Sequence, residues 1–173
     1  MSTPEPMVIA EKIDRIGVVS DTHGQVSFTR QAVRILESMD VQLVLHCGDI
    51  GTPQIVELFT AWPTHFVFGN VDEDRHELRS AIRAAGLVCH DRFGSLVIGE
   101  RRIAFLHSDD TRLFAQTTRS NEWDLVCYGH THVAEHHQQG RTLVLNPGAI
   151  YRANPHSLAV VTLSDLDVTM VPL

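Results

Sequence analysis

The sequence predicts an α/β fold, and two observations carry that expectation. In the first half, short apolar runs alternate with segments of helical period, the pattern of βαβ units and a largely parallel sheet. In the second half the runs pair across turn residues as hairpins, which adds antiparallel strands. A third observation concerns chemistry: Asp, His and Asn residues recur where the predicted strands end.

The first strand covers 16–20 and runs into Asp21-Thr22-His23-Gly24. Phe28, Ala32, Val33, Ile35 and Leu36 then recur at helical spacing, so 27–39 reads as an amphipathic helix. A second strand, 41–45, leads to His46-Cys47-Gly48-Asp49. Thr52 stands as N-cap with Pro53 at the first helical position, opening a helix to about Trp62. The third strand, 65–68, enters Gly69-Asn70-Val71-Asp72, and Asp72 is placed to cap a helix through Ala85 with Leu78, Ile82 and Ala85 on its apolar face.

Further on, 95–98 and 102–106 form a hairpin about Gly99-Glu100. A helix over 111–118 precedes a strand at 124–128, which ends at Gly129-His130-Thr131-His132. A second hairpin joins 133–137 to 142–145 and is followed by Asn146-Pro147-Gly148. The last strand pair, 158–163 and 168–171, turns near Asp165. No repeat, low-complexity tract or linker interrupts the chain, so 1–173 reads as one domain, with 1–13 a flexible or peripheral segment.

The composition narrows the function classes. Asp and Glu number 21 against 14 Lys and Arg, for a formal charge of −7, which argues against a broad basic face for long nucleic acids. The three cysteines, Cys47, Cys89 and Cys127, are odd in number and form no Cys-x-x-Cys pair, which suggests a reducing compartment. The polar opening segment lacks a signal-peptide core, and no run approaches the roughly 18 apolar residues of a membrane span. The expected location is the cytoplasm, with no membrane partner. Nothing excludes a homo-oligomer.

Asp21, His23, Asp49, Asn70, His107, His130 and His132 all follow predicted strands, where ligands bind in parallel α/β sheets. Each offers a nitrogen or oxygen donor, a set that suits Mn, Fe, Co, Ni or Zn better than Mg or Ca. Seven donors exceed one tetrahedral zinc. Two cations sharing a carboxylate account for them economically.

In order along the chain, Asp21-x-His23, Gly48-Asp49, Gly69-Asn70-x-Asp72, His107 and Gly129-His130-Thr131-His132 resemble the motifs of the calcineurin-like metallophosphoesterases. The short form, with Asn146-Pro147-Gly148, is similar to the small YfcE-type phosphodiesterases, and the likeness covers about 16–148. The resemblance implies a sandwich of two mixed β-sheets flanked by helices. It also implies one divalent ion, manganese foremost and Ni, Fe or Zn as alternatives, on Asp21, His23, Asp49 and His132. A second ion falls to Asp49, Asn70, His107 and His130, with Asp49 bridging, and Asp49, His107 and His130 form the catalytic set. Two such cations, roughly 3.5–4 Å apart, activate a bridging hydroxide for attack on phosphorus. The implied activity is that of a phosphoesterase, in particular a phosphodiesterase, on small phosphate esters. The rival reading is a non-catalytic metal-binding scaffold on the same fold, as in the retromer subunit of this superfamily.

Three positions depart from the family pattern. Val71 stands where many relatives carry a histidine that assists the leaving group, Ser108 replaces a glycine and Ala149 replaces a serine. Val71 leaves the general acid unassigned and predicts a preference for good leaving groups.

Taken singly, a strand-end Asp or His is more commonly a cap or a satisfied polar group than a ligand; the complete ordered set reverses that weighting. Asp72 reads as a helix cap, and His46 is balanced between supporting the ligands and plain packing. His65, His76, His90 and His156 read as surface or edge residues, and His136 and His137 as hairpin residues outside the site. Cys47 alternates into the core. Arg152 is either a phosphate-binding fork or a solvated loop arginine.

Overall fold

The computed structural model describes residues 5–173. The strands are β1 (Met7–Ile9), β2 (Arg15–Val19), β3 (Leu43–His46), β4 (Thr64–Phe66), β5 (Val88–Cys89), β6 (Phe93–Ile98), β7 (Arg101–Leu106), β8 (Leu125–Tyr128), β9 (Glu135–Gln139), β10 (Thr142–Asn146), β11 (Ser157–Thr162) and β12 (Asp167–Pro172). The helices are α1 (Val26–Ser38), α2 (Pro53–Leu58), α3 (Arg75–Ala84) and α4 (Thr111–Arg119). Two six-stranded mixed sheets result, ordered β1-β6-β7-β8-β10-β9 and β12-β11-β2-β3-β4-β5. Strands β2 to β5 are parallel, as the alternation of strand and helix requires. The hairpins β6–β7, β9–β10 and β11–β12 are antiparallel.

Side-chain alternation along the strands builds three layers of core. Ile16, Val18, Leu43 and Leu45 of one sheet join Leu96, Ile103, Phe105, Leu125 and Leu145 of the other in a cluster between the sheets. Val19, Val44 and Phe66 belong to a second cluster with Ala32 and Leu36 of α1, Ile55 of α2, and Leu78 and Ile82 of α3. A smaller third cluster places Ala104, Val126 and Trp123 with Leu113 and Phe114 of α4. Strands β3, β4 and β8 are buried throughout, and β2 and β7 are buried at the ends from which the site loops leave.

The expected elements form, with three corrections. Within the opening segment, Met7–Ile9 forms an edge strand paired parallel to Leu96–Ile98, and 1–4 lie outside the described residues. Helix α2 ends at Leu58 and not near Trp62. There the Thr64 hydroxyl donates to the carbonyls of Phe59 and Trp62, at 3.0 and 3.3 Å, and draws the chain into β4. Thr52 occupies the N-cap of α2 without capping through its side chain. Asp72 does not cap α3; Asp74 does, accepting from the Glu77 amide at 2.9 Å.

Asp72 has different work. Its buried carboxylate accepts from the amides of Gly51 (3.0 Å) and Gly69 (2.8 Å) and so ties the loop after β3 to the loop after β4. The sequence order could not separate this from capping, because the partner at Gly51 lies across the sheet.

Candidate metal centre

The loops that follow β2, β3, β4, β7 and β8 converge at one end of the sandwich, and they carry all seven expected donors. Their convergence depends on close backbone approach at two glycines. A Cβ at Gly69 would overlap the Asp49 carboxylate, and one at Gly129 would overlap the Ser20 hydroxyl. Glycine is therefore required for the loops to pass that near the acidic groups.

Five of the seven donors have left-handed backbone: Asp21 (φ 56°), His23 (46°), Asp49 (55°), His130 (78°) and His132 (60°). A left-handed residue costs about 1–2 kcal/mol, and such conformations concentrate at functional sites. Here they are held by amide contacts between neighbouring loops. The amides of Asp21, His23 and Gly24 donate to the carbonyls of Gly48, Asp49 and Ile50, at 2.9–3.0 Å. The His130 amide donates to Asp21 Oδ2 at 3.1 Å.

The donor atoms form two compact groups. Those of Asp21, His23 and His132 lie within 4.8 Å of one another, as do those of Asp21, Asp49 and His107. Asp21 is common to both groups. Asp49 also faces both sides, its Oδ2 standing 3.7 Å from His23 Nε2 and its Oδ1 3.2 Å from His107 Nε2. Asn70 Oδ1 lies 3.1 Å from His107 Nε2. The exposed His130 is brought next to this side, with its ring 5.1 Å from that of His107, but its donors fall outside the two compact groups.

Hydrogen bonds fix which ring nitrogens face inward. His107 Nδ1 donates to the Cys47 carbonyl at 2.8 Å, which leaves Nε2 toward Asp49 and Asn70. His132 Nδ1 donates to the Arg152 carbonyl at 3.1 Å, which leaves Nε2 toward Asp21 Oδ1, also at 3.1 Å. Behind the donors, the fully buried His46 accepts from the Gly48 amide and contacts the Thr22 hydroxyl at 3.0 Å. Thr22 in turn donates to the Ile50 carbonyl at 3.0 Å. This network supports the Asp49 loop, so His46 does more than pack. Thr22 was not singled out from the sequence, although it sits inside Asp21-x-His23.

Electrostatics match an ion-binding arrangement. Burial pushes His107 down, but the hydrogen bond and charge of Asp49, aided by Asp21 and the Cys47 carbonyl, outweigh it and raise the imidazole above its ordinary value. Burial likewise pushes Asp49 up, and contacts with His107, the Val71 amide and His23 overcome it, leaving the carboxyl below the usual range. His107 Nε2 faces the oxygens of Asp49 and Asn70, the position a cation would take. His46 is pushed down to about 3, by burial first and then by the charge of His107, and stays neutral. The donor set fits divalent ions on chemistry and on spacing.

The remaining histidines divide. His136 and His137 are exposed on β9 and His76 is exposed on α3, as expected, while His156 is half-buried with its ring 4.5 Å from that of Phe28. His65 contradicts its expected surface position: it is 2% exposed and pairs with half-buried His90, Nδ1 to Nε2, at 2.9 Å. It lies in β4 next to Phe66, and the strand's short run of buried residues includes it.

A two-sheet sandwich with nitrogen and oxygen donors gathered in a crest at its strand ends defines an α/β protein with candidate metal-binding groups. The chain belongs to the calcineurin-like phosphoesterase superfamily, whose domain profile matches residues 15–167. It is 29% identical over 139 residues to phosphodiesterase MJ0936 of Methanocaldococcus jannaschii, covering 78% of this chain and 82% of that one. The solved structure of an archaeal phosphodiesterase superposes with a TM-score of 0.85 at 25% identity, covering 92% of this chain and 99% of that one. Vps29 of Entamoeba histolytica, solved with zinc, superposes at a TM-score of 0.63 and 21% identity, covering 92% and 98%, and shows the fold alone. The expected fold class is thus the observed one. Among the described residues, no helix is long and apolar enough to cross a membrane.

Proposed function

We propose that this protein is a phosphodiesterase that works with two divalent ions. The observation that carries the reading is the facing of Asp49 to both sides of the centre, Oδ2 toward His23 and Oδ1 toward His107. Asp21, His23, Asp49 and His132 would hold one ion, and Asp49, Asn70, His107 and His130 the other. Manganese is the proposed metal, with nickel, iron and zinc as alternatives. Bound there, such ions supply a water activated for attack on phosphorus and offset charge on the phosphoryl oxygens.

The chain's own residues set the conditions for that chemistry. Neutral imidazoles are needed at each ligand position, and the Cys47 and Arg152 carbonyls hold His107 and His132 with Nε2 inward. The amide of Val71 donates to Asp49 Oδ1 at 3.2 Å, which keeps that carboxylate from rotating. The Val71 side chain is exposed and cannot transfer a proton, so esters with acidic leaving groups are the expected substrates. A rate that does not vary with leaving-group pKa would count against this part of the reading.

The test is hydrolysis of bis-p-nitrophenyl phosphate and p-nitrophenyl phosphate by metal-stripped protein, with Mn, Ni, Fe, Zn or Mg restored singly. Turnover that returns with metal supports the enzyme, and faster diester cleavage supports the phosphodiesterase. Tight binding of two ions without turnover on either ester supports a metal-binding scaffold instead.

A further inference from the structure

We propose that Arg152 is a substrate-anchoring residue that binds a terminal phosphoryl oxygen and thereby gives the site its capacity for phosphomonoesters. The assignment rests on the phosphoesterase reading above and refines its substrate class.

The segment that carries Arg152 is stitched to the centre. The amides of Ile150 and Tyr151 donate to the carbonyls of Ser20 and Asp21, both at 3.1 Å, and the Arg152 carbonyl accepts from His132 Nδ1. Arg152 has φ 62°, which places it among the left-handed residues of the site. Unlike Asp and His, arginine gains no local compensation for that backbone, so the conformation is imposed by the surrounding contacts. The guanidinium lies over Tyr151, 5.8 Å from the ring centroid, and that ring meets His23 edge-on at 6.3 Å. The arginine thus stands on the His23–His132 side of the centre.

Among the described residues, Arg152 is exposed and its guanidinium makes no ion pair with a carboxylate. Other arginines near the crest are engaged: Arg75 donates to the carbonyls of Asp72 and Gly69, and Arg92 pairs with Asp109 at 2.6 Å. In a chain of net charge −7, a free cation beside the donor crest is placed to receive an anion. Its planar fork matches phosphoryl oxygens and can bind two at once.

The oxygen count makes this a matter of specificity. A monoester presents three terminal oxygens and close to two negative charges near neutral pH. A diester presents two such oxygens and one charge. With two oxygens directed to the ligand cluster, a monoester leaves one for Arg152, whereas a diester turns its second ester group there.

The experiment compares the wild-type chain with Arg152→Ala and Arg152→Lys, each loaded with Mn. It measures kcat/KM on p-nitrophenyl phosphate and bis-p-nitrophenyl phosphate, the affinity for inorganic phosphate by calorimetry, and metal content. Arg152→Ala is expected to lose about 10- to 100-fold on the monoester and in phosphate affinity, the range of a charge-assisted hydrogen bond. The diester rate should fall by less than about 3-fold, metal content should not change, and Arg152→Lys should recover part of the loss. Equal losses on both esters, or unchanged phosphate affinity, overturn the assignment. If the wild type turns over neither ester, the phosphoesterase reading fails, and phosphate affinity alone still decides whether Arg152 anchors the anion.

Discussion

At the crest, His107 stands 3.2 Å from Asp49 and 3.1 Å from Asn70, and its imidazole is raised. Between β4 and the loop after β5, His65 and His90 stand 2.9 Å apart against Phe105, and both are pushed down to about 4. For His65 the cause is burial, then the proximity of His90; for His90 burial prevails over the opposing charge of Asp91, which is paired with Arg79. All three rings are substantially buried, so burial alone does not separate them. The difference is the carboxylate: His107 has Asp49 Oδ1 in direct contact, whereas His65 has only a second imidazole and the nearby Asp91 of His90 is already paired with Arg79. Two neutral rings sharing one hydrogen bond make a structural pair, not a charge-binding one.

The largest break in that comparison comes from removing the carboxylate. Asp49→Ala should reduce metal-restored turnover by about 1,000-fold or more, on the scale of losing a key electrostatic group, and lower the metal content measured by elemental analysis. Retained turnover would remove Asp49 from the centre.

Acid should next expose the neutral pair. The folded-state values near 4 lie below the ordinary histidine value of 6.5, so the unfolded chain binds more protons between them. Stability is therefore expected to fall as pH drops from about 6.5 to about 4, by on the order of 3 kcal/mol for each ring. Urea midpoints of metal-free protein across that range measure it, and the double substitution His65→Leu with His90→Leu should flatten the slope.

Thr22→Ala probes support for the ligands and not ligation itself. It removes the hydroxyl between His46 and the Ile50 carbonyl, and should weaken metal affinity by about 10-fold with the fold intact. An unchanged affinity would reduce the Thr22–His46 contact to packing.

The smallest effect is expected at Asp72. Asp72→Asn leaves one acceptor oxygen for two amides, so thermal stability should fall by about 1 kcal/mol while turnover stays within a few-fold. A loss of activity comparable to that of Asp49→Ala would place Asp72 in the chemistry.

The sequence by itself determined the alternation of strands and helices and the position of each donor at a strand end, because periodicity and turn residues are local properties of the chain. It also carried the ordered Asp, His and Asn pattern on which the family resemblance rests. Edge strands as short as Met7–Ile9 and Val88–Cys89 were not legible, since so few residues show no period and are stabilised by their neighbours. The burial of His65, the tie of Asp72 to Gly51 and the carbonyl of Arg152 behind His132 depend on partners 20 to 25 residues away. Only the tertiary structure decided these, because the charge state of an imidazole follows from what packs against it in space and not from what flanks it along the chain.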